Sequence, residues 1–298
     1  MDTANIAVVR RDAIPLYQNA VSTSAFRGGI FEVAVREPGD YFLLATERDR
    51  QGILYGRRAI HVGDANMDVG RIEIAPAFDI AGTVVTEDRA GAAGTAAASL
   101  VLSLYSLLPG TPSVTPVSVT MPKGNFNLRG VTPGDFRVEI SPILRVPPSS
   151  LLPASLQNVY VKSIRLGRTD VLNSGLHLEA AGDASLEVVI STHGGALAGH
   201  VVDGNGQPAI NAKVVLVPDT ARRQRGDLYR SVSADDSGEF QLRGLPPGDY
   251  KLFAWERVED GAWQDPEFIK LYESRGTAVR ITEDGQQTAN LTSILAWN

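Results

Sequence analysis

The sequence predicts an all-β protein built of three tandem antiparallel β-sandwich domains. One phrase recurs three times, short apolar runs are separated by turn residues, and no segment keeps a helical period. The chain has 298 residues, which is long enough for three units of about 100 residues, each with its own core.

The recurring phrase aligns without a gap. Its copies are "GIFEVAVREPGDYFL" (residues 29–43), "GNFNLRGVTPGDFRV" (124–138) and "GEFQLRGLPPGDYKL" (238–252). Alternating apolar residues on both sides of a Pro-Gly turn predict a β-hairpin, because proline cannot donate to a strand ladder. In the third copy we expect Phe240, Leu242, Tyr250 and Leu252 to point inward and Pro247-Gly248-Asp249 to form an exposed turn.

Further strand signals surround each copy and set the predicted boundaries. "DIAGTVVTED" and "ASLVLSLYSLL" precede the second copy, and "ALAGHVVDGNGQP" and "AKVVLVPD" precede the third. Sequences typical of β-strands also follow each copy, and Gly, Asn and Asp separate them as turn residues. The predicted domains are 1–76, 77–192 and 193–298. Their linkers, "IAPAFDIAG" and "STHGGALAG", are short, so we expect limited flexion between neighbours.

The first domain differs from the others at its start. A "Gly-x-Val-Val" strand at Gly82 and Gly199 comes about 40 residues before the repeated glycine, but only 28 residues precede Gly29. "NIAVVRRD" (5–12) matches "AKVVLVPD" instead. Either the first domain lacks an edge strand at its opening, or the sequence is a piece of a longer exported protein. The second explanation is favoured, because a missing edge strand exposes unpaired backbone.

Composition excludes several classes of function. A net charge of -6 gives no reason to expect a nucleic-acid partner. There are no cysteines, hence no disulfide and no thiolate chemistry. The N-terminus carries no signal-peptide pattern. The longest uncharged stretch holds an apolar core from Ala96 to Leu108, which is too short for a transmembrane helix and predicts a buried strand.

No catalytic, cofactor or metal site is predicted. His61, His177, His193 and His200 stand in no metal-binding motif, and nucleotide-binding and hydrolase signatures are absent from the sequence. "DGNG" (203–206) has some oxygen ligands of a calcium loop but lacks the closing Glu. A tight turn explains it better, because Asp-Gly and Asn-Gly are preferred turn pairs.

One aromatic segment after the third copy is the candidate ligand-binding surface. It carries Trp255, Trp263, Asp265, Glu267, Phe268 and Tyr272 within a long charged stretch that could be helical at "PEFIKLYES". Exposed rings beside carboxylates would suit a sugar. The competing interpretation is that the aromatic side chains fold back and cover part of their own sandwich.

The third copy with its flanks resembles the carboxypeptidase regulatory-like domains. "GGALAGHVVDGNGQPAINAKVVLVP" and "SADDSGEFQLRGLPPGDYKLFAWE" carry the resemblance, and the continuation is similar to multi-repeat exported proteins of acidobacteria. The resemblance implies a transthyretin (prealbumin)-like or carbohydrate-binding-like sandwich without catalytic residues.

The same resemblance implies an exported location, whether periplasmic, outer-membrane-associated or extracellular. The predicted function is a structural or adhesive accessory region of a bacterial protein, with polysaccharide or another cell-envelope protein as partner. The alternatives are a carbohydrate-binding module that uses the aromatic segment, and a spacer or ectodomain of an outer-membrane receptor.

Overall fold

The computed structural model describes residues 4–11, 21–24, 29–48, 50, 52–87, 99–108, 111–121, 124–142, 157–180, 182 and 185–295. These residues form antiparallel-dominated sheets with one short α-helix, which confirms the predicted all-β class. Among the helices of the described residues, none is both long and apolar enough to cross a membrane.

The first group of strands forms one sheet with the order β2-β1-β3-β4-β5. One face of this sheet packs on a cluster that includes Ile6, Tyr41 and Leu43, against which the extended residues 29–38 and 63–74 also lie. The strands are β1 (Asn5–Arg10), β2 (Val21–Ser24), β3 (Gly39–Arg48), β4 (Ile53–Val62) and β5 (Ala75–Pro76).

The second group forms a complete sandwich. Its sheets have the orders β13-β10-β7-β8 and β12-β11-β14-β6-β9, and they enclose one apolar core. The strands are β6 (Phe78–Thr86), β7 (Ser99–Ser106), β8 (Val117–Thr120), β9 (Asn125–Val131), β10 (Gly134–Pro142), β11 (Tyr160–Leu166), β12 (Thr169–Asp170), β13 (Leu176–Leu178) and β14 (Leu186–Ser191). The strand predicted at Ala96 to Leu108 is β7, and residues 88–98 lie outside the described part.

The third group is also a sandwich, with sheets β18-β15-β21 and β17-β16-β19-β20, and β22 beside β19. The strands are β15 (Gly195–Val202), β16 (Lys213–Pro218), β17 (Arg230–Ser233), β18 (Glu239–Leu245), β19 (Gly248–Arg257), β20 (Thr277–Ile281), β21 (Gln286–Thr292) and β22 (Ile294–Leu295). The helix α1 (Pro266–Tyr272) follows β19, and the short 3-10 turns are Thr220–Arg222, Gly226–Leu228, Ala262–Gln264 and Glu273–Arg275.

The repeated phrase is not a hairpin, contrary to the prediction. In the third group β18 and β19 belong to different sheets, and in the second group β9 and β10 do as well. The Pro-Gly turn therefore carries the chain from one sheet across the core to the other. The predicted inward positions are confirmed, because Phe240, Leu242, Tyr250 and Leu252 are all buried. Inward side chains on both arms fit a crossing, since the arms face each other across one core.

The prediction that the first domain lacks an edge strand is wrong about the place of that strand, because its counterparts β6 and β15 are not edge strands. β6 lies between β9 and β14, and β15 lies between β18 and β21. Each runs antiparallel to the first arm of the phrase and parallel to the last long strand of its group. The opening strand is therefore an internal strand, paired on both sides. The predicted correspondence between "NIAVVRRD" and "AKVVLVPD" agrees with the structure, since β1 pairs with β3 as β16 pairs with β19.

The glycine of each opening strand is required by the phenylalanine of the phrase. Gly82 stands opposite Phe126, and Gly199 stands opposite Phe240. A methyl group on either glycine would overlap with the neighbouring ring and with a carbonyl oxygen of the parallel strand. Both rings are buried, so the aromatic ring occupies the space that a side chain on the glycine would need.

We predict that Gly199→Ala lowers the free energy of unfolding by about 2 kcal/mol or more, because overpacked cores usually lose about 1–3 kcal/mol and here the clash includes backbone. Urea unfolding followed by circular dichroism measures it. The matched control is Gly204→Ala, whose added methyl meets no atom within 4 Å and should change stability by less than about 0.5 kcal/mol. Equal effects of the two substitutions would contradict the packing argument.

Candidate functional site

The aromatic segment forms a third layer on the third sandwich. After β19 the chain makes a 3-10 turn at Ala262–Gln264 and enters α1, whose N-terminus is capped by Asp265. The Asp265 carboxylate accepts a hydrogen bond of 2.9 Å from the Glu267 backbone N–H. The helical prediction for "PEFIKLYES" is confirmed over Pro266–Tyr272.

The rings of this segment are buried in one cluster. Trp255 is 0% exposed, and Trp263 and Tyr272 are each 6% exposed. Tyr272 meets the Trp255 ring edge-on at a centroid distance of 5.6 Å, and Phe253 stacks on Trp255 at 5.2 Å. Phe268 is half-buried at the margin of the same cluster. Such aromatic pairs add about 0.5–1.5 kcal/mol each beyond burial.

The surface beneath the cluster is the outer face of the β16-β19 sheet. Val215, Val217 and Phe253 point toward the aromatic cluster, whereas their neighbours Leu216 and Leu252 point into the sandwich core. The sheet is therefore buried on both faces. This arrangement matches the competing interpretation, in which the aromatic side chains cover their own sandwich.

A sugar-binding face on Trp255, Trp263 and Tyr272 requires exposed rings, and the structure corrects that expectation by burying them. Asp265 and Glu267 are exposed, but the first caps α1 and the second lies 3.8 Å from Lys270. The predicted site residues are thus brought together as a structural layer. No ring of the three is available for stacking against a ligand.

A polar role of the repeated phrase was missed from the sequence. The Asp of each Pro-Gly-Asp stands directly opposite a basic residue on an adjacent strand of the sheet: Asp40 opposite His61, Asp135 opposite His177 and Asp249 opposite Arg280. The closest side-chain N···O distances are 2.9, 2.6 and 3.8 Å. Opposite charges at cross-strand positions stabilise pairing. The only signal in sequence is a basic residue at varying distance downstream.

Asp135 is the most strongly held of the three aspartates. Its partial burial works against ionisation, but hydrogen bonds from His177 and Arg57 outweigh this and lower the pKa of Asp135. In turn, the hydrogen bond with Asp135, followed by the one with Glu179, raises the pKa of His177. Arg57, in β4, lies 3.4 Å from the Asp135 carboxylate, so the pair also links the first group of strands to the second.

The second and third groups meet in close backbone and side-chain contact. The Gly194 N–H donates a hydrogen bond of 2.8 Å to the carbonyl oxygen of Asn158. The Tyr160 hydroxyl donates to Glu283 at 2.7 Å, and Lys162 reaches the same carboxylate at 3.0 Å. Burial, followed by the Glu283 hydrogen bond, raises the pKa of Tyr160 to about 12.

A cavity of about 100 Å³ lies beside this junction. Its described lining combines apolar side chains of the second sandwich with a charged rim that includes Arg137, Glu139 and Arg225. Burial, followed by the charge of Asp227, raises the pKa of Glu139. Sites for small molecules usually enclose about 300–1,000 Å³, so the cavity is too small to serve as one.

The basic run that the sequence shows at Arg222, Arg223 and Arg225 is neutralised by carboxylates. Their N···O distances are 2.5 Å to Asp219, 2.8 Å to Glu273 and 2.5 Å to Asp227, respectively. Arg222 also donates to the carbonyl oxygens of Pro247 and Asp249. The run therefore supports the Pro-Gly-Asp turn of the third copy, and it presents no free cationic patch.

Within the described residues, no group of three or more His, Asp or Glu side chains is placed to hold a metal ion. In "DGNG" the Asp203 carboxylate accepts backbone hydrogen bonds from Asn205 and Gln207 at 2.8 and 2.9 Å. These bonds, with Gln207 foremost, lower the pKa of Asp203. The turn interpretation of this motif accounts for its geometry.

Comparison with known families gives one match. Residues 196–293 match the carboxypeptidase regulatory-like domain, which confirms the resemblance seen in the third copy. The match spans about a third of the chain and coincides with the third group of strands. A comparison with curated proteins finds no match.

Several solved structures are similar to the chain at low identity. The Bacillus anthracis TIE protein is 12% identical, with 98% of this chain and 52% of that chain covered and a TM-score of 0.24. A streptococcal ancillary pilin is 12% identical, covering 97% and 92%, with a TM-score of 0.27. BcpA, the major pilin subunit of Bacillus cereus, is 13% identical, covering 99% and 94%, with a TM-score of 0.24. The chain spans about half the length of the first. Likenesses at this level say nothing about what the chain binds.

We predict that Trp263→Ala lowers the free energy of unfolding by about 3–5 kcal/mol, because a buried tryptophan is replaced by a cavity. Urea unfolding followed by circular dichroism measures the loss. The matched control is Leu271→Ala in α1. The Leu271 side chain is 76% exposed, so this substitution should change the free energy of unfolding by less than about 0.5 kcal/mol. A Trp263→Ala protein of unchanged stability would contradict the structural role of the ring.

We predict that His177 titrates above the ordinary histidine pKa of about 6.5 and returns toward that value in Asp135→Asn. Because the folded pKa is raised, the contribution of this pair to stability is complete below the unfolded pKa and is lost as pH rises through the folded pKa. Imidazole NMR shifts against pH measure the effect. Asp249→Asn serves as the control and should leave His177 unchanged; an equal shift in both variants would contradict the pairing.

Proposed function

We propose that the chain is a non-catalytic structural or adhesive region of an exported bacterial protein, made of three sandwich domains at 1–76, 77–192 and 193–298. The observation that carries the proposal is how directly the groups of strands follow one another. Only Ala77 separates β5 from β6, and only residues 192–194 separate β14 from β15. Domains joined this closely form a semi-rigid rod more readily than a flexible string.

The contacts at the second junction support a fixed arrangement. A methyl group on Gly194 would lie 2.6 Å from the Asn158 oxygen and 2.9 Å from Gly244 Cα. Arg243 reaches the Gln157 side chain at 3.0 Å across the same junction. Backbone segments of the two sandwiches therefore touch without intervening side chains, which limits bending between them.

The polar groups that the sequence repeats support a role without catalysis. The aspartate of each copy is engaged with a basic residue, and the tyrosines of the first and third copies donate to carbonyl oxygens four residues upstream, each at 2.8 Å. Groups committed to such pairs stabilise the turn. They are not poised to react with a substrate.

The exported location and the partner follow from the family resemblance of the third domain. We propose another cell-envelope protein as partner, and within this role the chain serves as a spacer or ectodomain. The aromatic segment does not suit a polysaccharide, because the rings that would stack on a sugar are buried.

Pulsed electron–electron double resonance tests directly whether the second and third domains form a semi-rigid rod. The chain has no cysteine, so spin labels on Thr169→Cys and Asp236→Cys report only the distance between the second and third domains. Both positions are exposed. We expect one narrow distance distribution, because the junction fixes the two sandwiches relative to each other.

Two variants calibrate that measurement. Gly194→Val should broaden or shift the distribution, since its side chain has no space at the junction, whereas Gly204→Ala should leave it unchanged. A distribution in the parent protein that is as broad as that of a flexible linker would contradict the proposed rod.

A further inference from the structure

The two complete sandwiches begin and end with strands that run side by side in the same direction. Among the strand pairs of the described residues, β6 pairs parallel with β14, and β15 pairs parallel with β21. β6 and β15 are the first strands of their sandwiches, whereas β14 and β21 are the last long ones. The chain therefore enters each parallel pair at one end and leaves it at the opposite end.

This arrangement fixes how tension along the chain loads a sandwich. In the third sandwich the tension enters at Gly195, where β15 begins, and leaves at Thr292, where β21 ends. The two strands are then pulled lengthwise in opposite directions. Hydrogen bonds in a parallel pair are evenly spaced along the strands, so all of them share the load. Pulling the strands apart from one end would instead break the bonds one after another.

The contact between β15 and β21 is continuous and is closed at both ends. Seven residue pairs stand in register along the two strands. At the entry end the Ala196 N–H donates to the Gly285 oxygen at 2.8 Å, and at the exit end the Ser293 N–H donates to the Val202 oxygen at 2.8 Å. Sliding one strand past the other therefore requires that the whole set of bonds breaks.

The inner side of this contact is shielded from water. Leu197 and Val201 of β15 and Leu291 of β21 are buried in the core of the sandwich. At Gly199 the backbone comes so close to the Ala289 oxygen of β21 that a side chain on the glycine would overlap with it. Hydrogen bonds in such a setting are stronger than bonds exposed to water.

The internal position of the first strand adds a second set of bonds. β15 also pairs antiparallel with β18, and the Val201 N–H donates to the Gly238 oxygen at 2.8 Å. β6 is held in the same way by β9, with a bond of 2.8 Å from the Val84 N–H to the Gly124 oxygen. Drawing the first strand out of its sandwich therefore breaks two ladders at once.

The second sandwich repeats this geometry in line with the third. β6 and β14 keep five residue pairs in register, and the Glu87 N–H donates to the Ile190 oxygen at 2.8 Å beyond them. The chain enters at Phe78 and leaves at Ser191, which are again opposite ends of the pair. Only residues 192–194 separate this exit from the entry to the third sandwich, so tension passes from one pair directly to the other.

We propose that these two sandwiches are force-bearing units. Their parallel first and last strands, which we call the shear clamps, resist extension of the chain. The inference deepens the proposed structural role and rests on it, because a spacer that joins two attachment points carries tension between them. It concerns the interior of each sandwich, however, and does not require a fixed angle between neighbours.

Single-molecule force spectroscopy on the intact 298-residue protein tests the clamp of the third sandwich. The chain has no cysteine, so handles attach only at introduced pairs. Thr192→Cys with Thr292→Cys pulls β15 and β21 lengthwise. The matched control, Thr192→Cys with Gln286→Cys, separates the two strands at the end where both begin. Because position 192 is common to both proteins, the junction with the second sandwich is attached in the same way.

Both pulling directions unfold the same sandwich. The attachment points are 100 and 94 residues apart, which corresponds to roughly 330 and 310 Å of extended chain at about 3.3 Å per residue, so the released length identifies the event. We expect a severalfold higher unfolding force in the lengthwise direction at the same loading rate. Urea unfolding of the two proteins should give equal stability, because only the direction of the force differs.

Equal unfolding forces in the two directions, or a higher force with the handle at position 286, would overturn the shear clamp and leave the proposed rod untouched. A flexible junction would contradict the rod and leave the ratio of forces unchanged. Circular dichroism shows whether both double-cysteine proteins fold. Should Thr192→Cys prevent folding, Ala196→Cys takes its place in both pairs, and the same ratio of forces is expected.

Discussion

The contact between a phenylalanine ring and a bare backbone position organises the two complete sandwiches. Phe126 and Phe240 pack on Gly82 and Gly199, which lie in strands that are paired on both sides. Any side chain at those glycines would displace the ring and the parallel strand together. The opening strand is thus an internal strand of its sheet, and it carries the glycine against which the phenylalanine ring of the repeated phrase packs.

That constraint explains what could be predicted from the sequence and what could not. The repeat, the all-β class and the inward face of the third copy follow from local pattern, because alternation with period two is visible in a single sequence. Alternation does not say which sheet each arm joins, so the crossing at Pro247 and Gly248 looked like a hairpin. The central place of β15 depends on pairing between residues about 40 and 90 apart along the chain, such as Gly199 with Phe240 and with Ala289.

The aromatic segment shows the same limit at the candidate site. Its composition suggested a binding surface, yet Trp255 and Tyr272 close the outer face of a sheet. A signal was present in "KVVLVP" and "KLFAW", which are continuous apolar runs and not alternating ones, as expected of strands buried on both faces. Exposure of Trp263, by contrast, is decided by how α1 packs, and no local pattern fixes that.

Amide hydrogen exchange in the intact protein tests the central claim most directly. The claim is that β6 and β15 hold the first arm of the phrase in the second and third domains, through glycines that leave room for its phenylalanine rings. Residues 126–131 and 240–245 should exchange slowly, because β6 and β15 hold them, and residues 31–37 should exchange much faster under the same conditions. Equal protection of the three segments would contradict the claim, since it would mean that protection of the phrase does not depend on β6 and β15.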